Sequence, residues 1–260
     1  MQGIVILGGK GTRLNLFSRR VGNKACALVY DRLVFEYPLN TLVRAGITDI
    51  TLVLGYRYAG NLMNVVGDGK EFGIERLTYV YQREARGISD AILQAKNSVT
   101  DKCAVILGDN FFEMDITNHV EYFNKQEKGC ALFTKKVHDP ERYGVAELKN
   151  TGNIGPGVVS NDIDNIVEKP KNPKSNQAVT GLYFYDKTVF EKIDTLEFSK
   201  RGELEVTDLN MLYVKEGTAK AYEVEGYWND MGTFDSILET SSFVKDNNFS
   251  LTYNIDAWEK

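Results

Sequence analysis

The chain has 260 residues, 43% of them hydrophobic and 26% charged, with 5 prolines. Such a length can bury a large core, and the composition is that of a globular protein rather than a disordered or fibrous one. A net charge of −5 offers no bulk attraction to nucleic acid or a membrane surface, so an anionic substrate would have to meet a local cluster of Lys and Arg.

In chain order, GIVIL (3–7), DITLVLG (49–55), LTYVY (77–81) and CAVILG (103–108) are short apolar runs rich in β-branched residues and read as strands. Between them, Tyr37 to Ala45, Ala59 to Val66 and Ile88 to Asn97 carry apolar residues at helical spacing. Alternating strand and helix predicts βαβ units and an α/β, doubly wound, Rossmann-like sheet. Ligands bind such sheets at the carboxyl ends of the strands, which directs attention to residues 8–15, 82–87 and 108–113. Beyond residue 129 the pattern changes. CALFTKKV (130–137), YGVAELK (143–149), AVTGLYFYD (178–186) and AKAYEVEG (219–226) read as longer strands of a mixed sheet. The Gly- and Asn-rich stretch from Asn150 to Asn165 reads as an extended loop or hairpin. Helices are expected near Glu205 and near Thr233.

With no linker or repeat, residues 1–260 are expected to form a single domain, with a first half over 1–128, a second over 129–235 and a short tail over 236–260. No apolar run approaches the ~20 residues that span a bilayer, and MQGIVILGG lacks the basic start and cleavage pattern of a signal peptide. Cys26, Cys103 and Cys130 are far apart, the last two in apolar runs where small core residues are expected. With His119 and His138 the only histidines, no zinc cluster can be drawn. The expectation is a reduced, cytoplasmic protein.

The first strand runs straight into Gly8-Gly9-Lys10-Gly11-Thr12-Arg13. Successive backbone N–H groups in such a loop can wrap a polyphosphate, and glycine permits close approach. It is not the P-loop, because Lys10 is followed by Gly11 rather than a hydroxyl residue. Nor is it the dinucleotide fingerprint, which needs glycine where Leu14 stands. A simple tight turn is the plainer alternative. Arg13 at the loop's end and Lys24 in an otherwise apolar stretch add two cations that could stabilise charge on a reacting triphosphate. Gly108-Asp109-Asn110 closes the fourth strand. Asp109 there suits Mg²⁺, which usually takes one or two carboxylates plus phosphate oxygens, although an Asx turn would use the same residues. Asp230, within GYWNDMGT (226–233), is a second carboxylate. Glu168-Lys169-Pro170 and Arg201-Gly202-Glu203 supply two further cations suited to a sugar phosphate.

These segments, with YDRLVFEYPLNTL (30–42), VYQREARGISDA (80–91), DPERYGVAEL (139–148), VEKPKNPKSNQAVTGLYFYD (167–186) and RGELEVTDLN (201–210), resemble the glucose-1-phosphate thymidylyltransferases of the sugar nucleotidyltransferase family. The resemblance runs from about Gly3 to Thr233, and it implies that 1–128 form mainly the nucleotide-binding half and 129–235 mainly the sugar-phosphate-binding half. It implies a Mg²⁺-dependent enzyme joining dTTP and glucose 1-phosphate to give dTDP-glucose and pyrophosphate, feeding deoxysugar or surface-polysaccharide synthesis. It further implies that Gly8, Gly9, Gly11 and Thr12 cradle the triphosphate, with Arg13 and Lys24 as catalytic cations. Gln82 would bond the pyrimidine edge beside the Gly87 backbone, and Asp109 and Asp230 would hold Mg²⁺. Tyr143, Gly144, Glu168 and Val179 would line the hexose pocket, and Lys169 and Arg201 would hold the sugar phosphate.

There are departures. Leu7 stands where the family has Ala or Gly, which predicts a larger side chain approaching the nucleotide. Ala25 replaces the Gln or His that follows the catalytic lysine, and Leu28 replaces a proline. The Arg13–Lys24 interval is one residue longer, and residues 150–165 are expanded on the sugar side. UTP in place of dTTP, another hexose 1-phosphate, and a weakened regulatory paralogue stay open as alternatives. The larger members carry a longer helical region after Thr233, so a reduced assembly, a homodimer, is expected here.

Overall fold

The computed structural model describes residues 1–253 apart from 10, 15, 16, 19–21, 56, 58, 156 and 157; residues 12, 150, 151 and 153–155 are described in their backbone alone. The strands are β1 (Gln2–Leu7), β2 (Leu28–Val29), β3 (Arg32–Leu33), β4 (Asp49–Gly55), β5 (Arg76–Gln82), β6 (Cys103–Leu107), β7 (Asn110–Phe112), β8 (Cys130–Lys136), β9 (Gly144–Gly155), β10 (Val158–Glu168), β11 (Gln177–Tyr185), β12 (Ala219–Glu223) and β13 (Trp228–Asp230). The α-helices are α1 (Glu36–Arg44), α2 (Ala59–Val66), α3 (Ile88–Gln94), α4 (Thr117–Lys125), α5 (Val189–Ile193), α6 (Val206–Lys215) and α7 (Phe234–Asp246).

One nine-stranded sheet organises the chain, in the order β5-β4-β1-β6-β11-β8-β12-β10-β9. All six residues of β1 are buried, as expected for a central strand covered on both faces. Its side chains divide with the period of two that a strand imposes. Val5 and Leu7 join the cluster under Leu39 and Leu42 of α1, Leu62 and Val66 of α2 and Phe123 of α4. Ile4 and Ile6 join the opposite cluster, with Ile92 of α3, Phe190 of α5 and Tyr213 of α6. Helices therefore cover both faces, which is the doubly wound arrangement the alternating pattern predicts.

The β5-β4-β1-β6 half is parallel. Beyond β6 the sheet is mixed: β11 runs antiparallel to β6 and β8, while β12 is parallel to β8. The chain leaves β1 toward β4 and returns to β6 on its other side, so the direction of winding reverses at β1. Among the described residues no helix is long and apolar enough to cross a membrane.

Several elements refine or depart from the sequence reading. Of the two readings left open for the stretch from Asn150 to Asn165, the structure takes the hairpin: residues 150–155 lie in β9 and 158–165 in β10, a long antiparallel pair whose ladder absorbs their Gly and Asn residues through register shifts at three points. The expected strand at 219–226 stops at Glu223. The short strands β2, β3, β7 and β13 carry too little periodicity to be seen in the sequence, and the helices α4 and α5 are not among those expected. Residues 236–253 are folded as well. A capping box starts α7, with Thr233 Oγ1 accepting from the Ser236 N–H and Ser236 Oγ accepting from the Thr233 N–H, both at 3.1 Å. Farther on, Thr252 donates from its N–H and hydroxyl to Asn40 Oδ1 at 2.8 and 2.7 Å.

Candidate functional site

The loops after β1, β5 and β6 lie at the same end of the parallel strands, and β11 presents its amino end there. The result is a cavity of about 450 Å³ lined from Gly8, Gly9 and Gly11 at one side to Lys169 and Arg201 at the other. Of the residues singled out in the sequence, Gly8, Gly9, Gly11, Arg13, Lys24, Gln82, Gly87, Tyr143, Gly144, Glu168, Lys169, Val179 and Arg201 all line it. Thr12 is described only in its backbone, and Lys10 lies outside the described residues.

Two acid–base pairs mark the glycine-loop end. Lys24 Nζ is ion-paired to Asp109 Oδ2. Both terminal nitrogens of Arg13 donate to Asp230 Oδ2 at 3.1 Å. The placement has local causes. Asn23 caps the turn holding Lys24 by accepting from the Ala25 N–H at 2.9 Å, and its Nδ2 donates to the Leu7 carbonyl at 3.1 Å, tying that turn to the end of β1. Asp230 is brought 121 residues back along the chain by the β7–β13 ladder, in which it faces Asn110. The Met231 N–H donates to the Asp109 carbonyl at 2.7 Å and fixes the pairing.

Asn110 joins three elements. Its Oδ1 accepts from the Gly181 N–H of β11 at 3.0 Å and from Trp228 Nε1 at 2.9 Å, and its Nδ2 donates to Asp109 Oδ1 at 3.3 Å. A Cβ on Gly181 would come within 2.7 Å of the Asn110 carboxamide, so that glycine is required by close approach. A Cβ on Gly232 would run into the end of the Arg13 guanidinium, so a side chain there would push Arg13 out of its place against Asp230.

The two carboxylates are driven in opposite directions. Burial works to raise the Asp109 carboxyl, but the charge and hydrogen bond of Lys24, with help from Arg13 and Asn110, bring it below the ordinary aspartate value. Burial and the neighbouring Asp109 charge together raise Asp230, and Arg13 and Lys24 offset this only in part. Asp230 Oδ1 is buried and has no hydrogen-bond partner among the described residues.

The other side of the cavity is set by strand register. Val179 of β11 and Glu168 of β10 both pair with Gly144 of β9, which places the three in one row. Glu168 Oε2 accepts from Thr207 Oγ1 at 2.7 Å, and its Oε1 lies 3.3 Å from Lys169 Nζ and 3.4 Å from Arg201. Lys169 adopts a left-handed backbone (φ 45°), uncommon for a residue with a side chain, and its N–H donates to the Tyr143 carbonyl at 2.9 Å. Arg201 also pairs with Glu205 at 2.7 Å and Glu203 at 3.6 Å. The Tyr143 ring meets Trp228 edge-on, 5.6 Å between centroids.

Between the two sides, Gln82 ends β5 and Gly87 begins α3. A Cβ on Gly87 would meet the Leu204 carbonyl at 2.4 Å, and its φ is 102°, so glycine is needed on both counts.

One expectation about the departures is corrected. Leu7 does not reach the cavity. It is buried in the core, with its side chain against Gly108, because alternation along β1 sends residue 7 to the α1 face. Ala25 is likewise buried in that cluster and does not line the cavity. The sequence reading also missed Asn110, Gly181, Thr207, Trp228 and Gly232. A signal was present for all five, since Asn110 stands in GDN, Trp228 and Gly232 in YWNDMGT, Gly181 in AVTGLYFYD and Thr207 in RGELEVTDLN, segments already singled out.

A family model described as nucleotidyl transferase matches residues 2–247. The glucose-1-phosphate thymidylyltransferase of Mycolicibacterium smegmatis is 38% identical over 249 residues, covering 94% of this chain and 82% of that protein. The low-salt glycan biosynthesis nucleotidyltransferase of Haloferax volcanii is 34% identical over 246 residues; the match covers 94% of this chain and 66% of that longer protein. A Bacillus anthracis protein assigned as a glucose-1-phosphate thymidylyltransferase, crystallised with sucrose, superposes with a TM-score of 0.86 at 39% identity, over 96% of this chain and 97% of its own.

Proposed function

The chain belongs to the nucleotidyl transferase family, and from that premise we propose that it joins dTTP to glucose 1-phosphate, releasing pyrophosphate, with Mg²⁺ as cofactor. The observation that carries this reading is the layout of charge in one cavity. Arg13 and Lys24 line it by the glycine loop, each paired with an aspartate (Asp230 and Asp109) that does not itself line the cavity, and Lys169 and Arg201 stand across from them. A nucleoside triphosphate and a sugar phosphate each need such a cationic end. Several curated relatives carry the name of this activity, which supports the same choice of substrates.

The bond formed joins a sugar-phosphate oxygen to the α-phosphorus, and the bond broken is that to the bridging oxygen of the pyrophosphate. A phosphate oxyanion is already a nucleophile, so no side chain has to take a proton. What the chain supplies is alignment and charge. Lys169 and Arg201 hold the attacking phosphate, and Glu168, steadied by Thr207, accepts from sugar hydroxyls. Lys24 and Arg13 stabilise the charge that grows on the α-phosphate and the departing pyrophosphate.

Asp109 and Asp230 suit Mg²⁺. Both are hard oxygen donors, each is backed by a cation on Oδ2, and the buried Asp230 Oδ1 has no other partner among the described residues. A magnesium ion held there would neutralise phosphate charge and leave Lys24 and Arg13 free to turn to the substrate.

The test is a panel of nucleoside triphosphates and hexose 1-phosphates with Mg²⁺, read as pyrophosphate release. dTTP with glucose 1-phosphate is expected to be the best pair. Release from no combination would remove the proposed reaction. UTP is the second reading, because Gln82 faces the cavity and thymine and uracil share the N3–H it would meet.

A further inference from the structure

We propose that Asp90 is a positioning residue for base selection: it holds the Gln82 carboxamide with its carbonyl toward the nucleobase, so that the site takes bases with a ring N–H and rejects those with a bare ring nitrogen. The inference rests on the reading above that this cavity binds a nucleoside triphosphate.

A glutamine side chain is two-faced. Its carbonyl oxygen accepts and its amino group donates, and either can face a ligand unless neighbours decide. Here they decide. Gln82 Nε2 donates to Asp90 Oδ2 at 2.7 Å and to the Gly87 carbonyl at 3.0 Å. The Gly87 carbonyl has no proton to give in any form, and turning the amide over would set Gln82 Oε1 against two acceptor oxygens. Gln82 is buried, so the cost of that mismatch would not be relieved by water. Both protons of the amino group are thereby committed.

The remaining atom, Oε1, accepts no hydrogen bond from the described residues. It lies over the glycine loop, 3.1 Å from where a Cβ on Gly8 would stand. The glycine leaves that oxygen open to the cavity. A thymine or uracil N3–H can donate to it. Cytosine N3 and adenine N1 are lone pairs and would face the oxygen acceptor to acceptor.

Asp90 itself is fixed by more than its own helix. It sits in the first turn of α3, and the residues before it are anchored across the cavity wall. The Ser89 N–H donates to the Leu204 carbonyl at 3.3 Å, Ser89 Oγ donates to the Glu205 carbonyl at 3.2 Å, and the Leu204 N–H donates to the Arg86 carbonyl at 2.7 Å. The carboxylate is therefore held at a set place relative to Gln82. Asp90 lies within the VYQREARGISDA segment, yet nothing in the sequence pairs it with Gln82.

The experiment compares dUTP with dCTP, which differ only at N3 and C4 of the base, and adds dTTP. Binding is measured by calorimetry and turnover by pyrophosphate release, for the wild type, Asp90→Ala and Asp90→Glu. The wild type is expected to prefer dUTP and dTTP over dCTP by at least ~100-fold, as a site that must bury an unmatched polar atom does. In Asp90→Ala the dUTP to dCTP ratio is expected to shrink about tenfold, the loss of one charge-assisted hydrogen bond, with KM for the sugar phosphate and the melting temperature nearly unchanged. Asp90→Glu should recover part of the ratio. An unchanged ratio in Asp90→Ala would overturn the proposal, as would an equal loss for all three nucleotides together with lower thermal stability. A wild type that binds dCTP as tightly as dUTP overturns it while leaving the reaction intact. Base-selective binding without pyrophosphate release would instead remove the reaction and keep the readout.

Discussion

The two charged ends of the cavity are built differently. By the glycine loop, each cation faces one acid, and three of the four side chains are largely withdrawn from water: Lys24 is 20% exposed, Asp109 10% and Asp230 16%. At the far end, Arg201 and Lys169 are about half exposed, at 46% and 49%, and share Glu168, Glu203 and Glu205 between them. Charges in a dry setting act strongly at short range, whereas exposed pairs are weakened by water and salt. The first end is therefore suited to act on charge that appears during the reaction. The second is suited to hold a ligand that arrives already charged.

Lys24→Ala tests the dry end and should give the largest effect. Removing one pre-placed donor to a developing charge typically costs ~10²–10³ in kcat, and on the proposed reading KM for dTTP should move much less, because the glycine loop would still hold the triphosphate. The same change strands Asp109 without its cation. Steady-state kinetics with dTTP and glucose 1-phosphate decides it: a kcat within a few-fold of wild type takes Lys24 out of the mechanism.

Arg201→Ala tests the wet end, and the comparison requires a different signature. A charged hydrogen bond to phosphate is worth about 1.5–3 kcal/mol, so KM for the sugar phosphate should rise roughly 10- to 100-fold. The value of kcat should stay within a few-fold, and KM for dTTP should not move. Raising the salt should weaken sugar-phosphate binding in the same sense. A fall in kcat matching that of Lys24→Ala would erase the distinction between the ends.

The same contrast explains what the sequence could disclose. The parallel half was legible because buried strands such as QGIVIL and DITLVLG are continuous apolar runs, and a glycine loop directly after one of them marks the ligand end. The cations and acids could be picked out as residues of the right chemistry in quoted motifs. Their partnerships could not. Asp109 meets Lys24 across 85 positions and Asp230 meets Arg13 across 217, through a ladder only three residues long that no periodicity reveals. Asn110 looked like part of a turn, yet its carboxamide ties Gly181, Trp228 and Asp109 together. Leu7 was misread for a related reason. Its side chain follows the strict alternation of β1 into the core, and its place beside the loop says nothing of the face it occupies. In the antiparallel half, Gly and Asn from 150 to 165 left a loop and a hairpin both open; the hairpin forms over 150–155 and 158–165 because pairing along a long ladder outweighs their weak strand preference.

The smallest effect separates the two aspartates within the dry end. Asp230 has a raised carboxyl, driven by burial and by the charge of Asp109, so the folded state prefers it protonated. Between the ordinary aspartate value of 3.8 and that raised value, the folded protein binds more protons than the unfolded chain, and stability falls as pH rises. Above the window the penalty is complete. Asp109 has the opposite sign. Its lowered carboxyl contributes stability that is present above the ordinary value and is lost as pH falls through the folded one. Without divalent cation at neutral pH, Asp230→Asn should therefore raise the melting temperature by about 2–4 °C, the shift that about 1 kcal/mol gives a protein of this size. Asp109→Asn should lower it by a similar amount, since it leaves the Lys24 charge largely withdrawn from water and unmatched. Both differences should shrink toward acid. Thermal melts of the two variants in EDTA at neutral and acid pH decide the matter. Shifts of the same sign at neutral pH, or a gain for Asp230→Asn that grows in acid, would show that the aspartates are not held in the opposed states described.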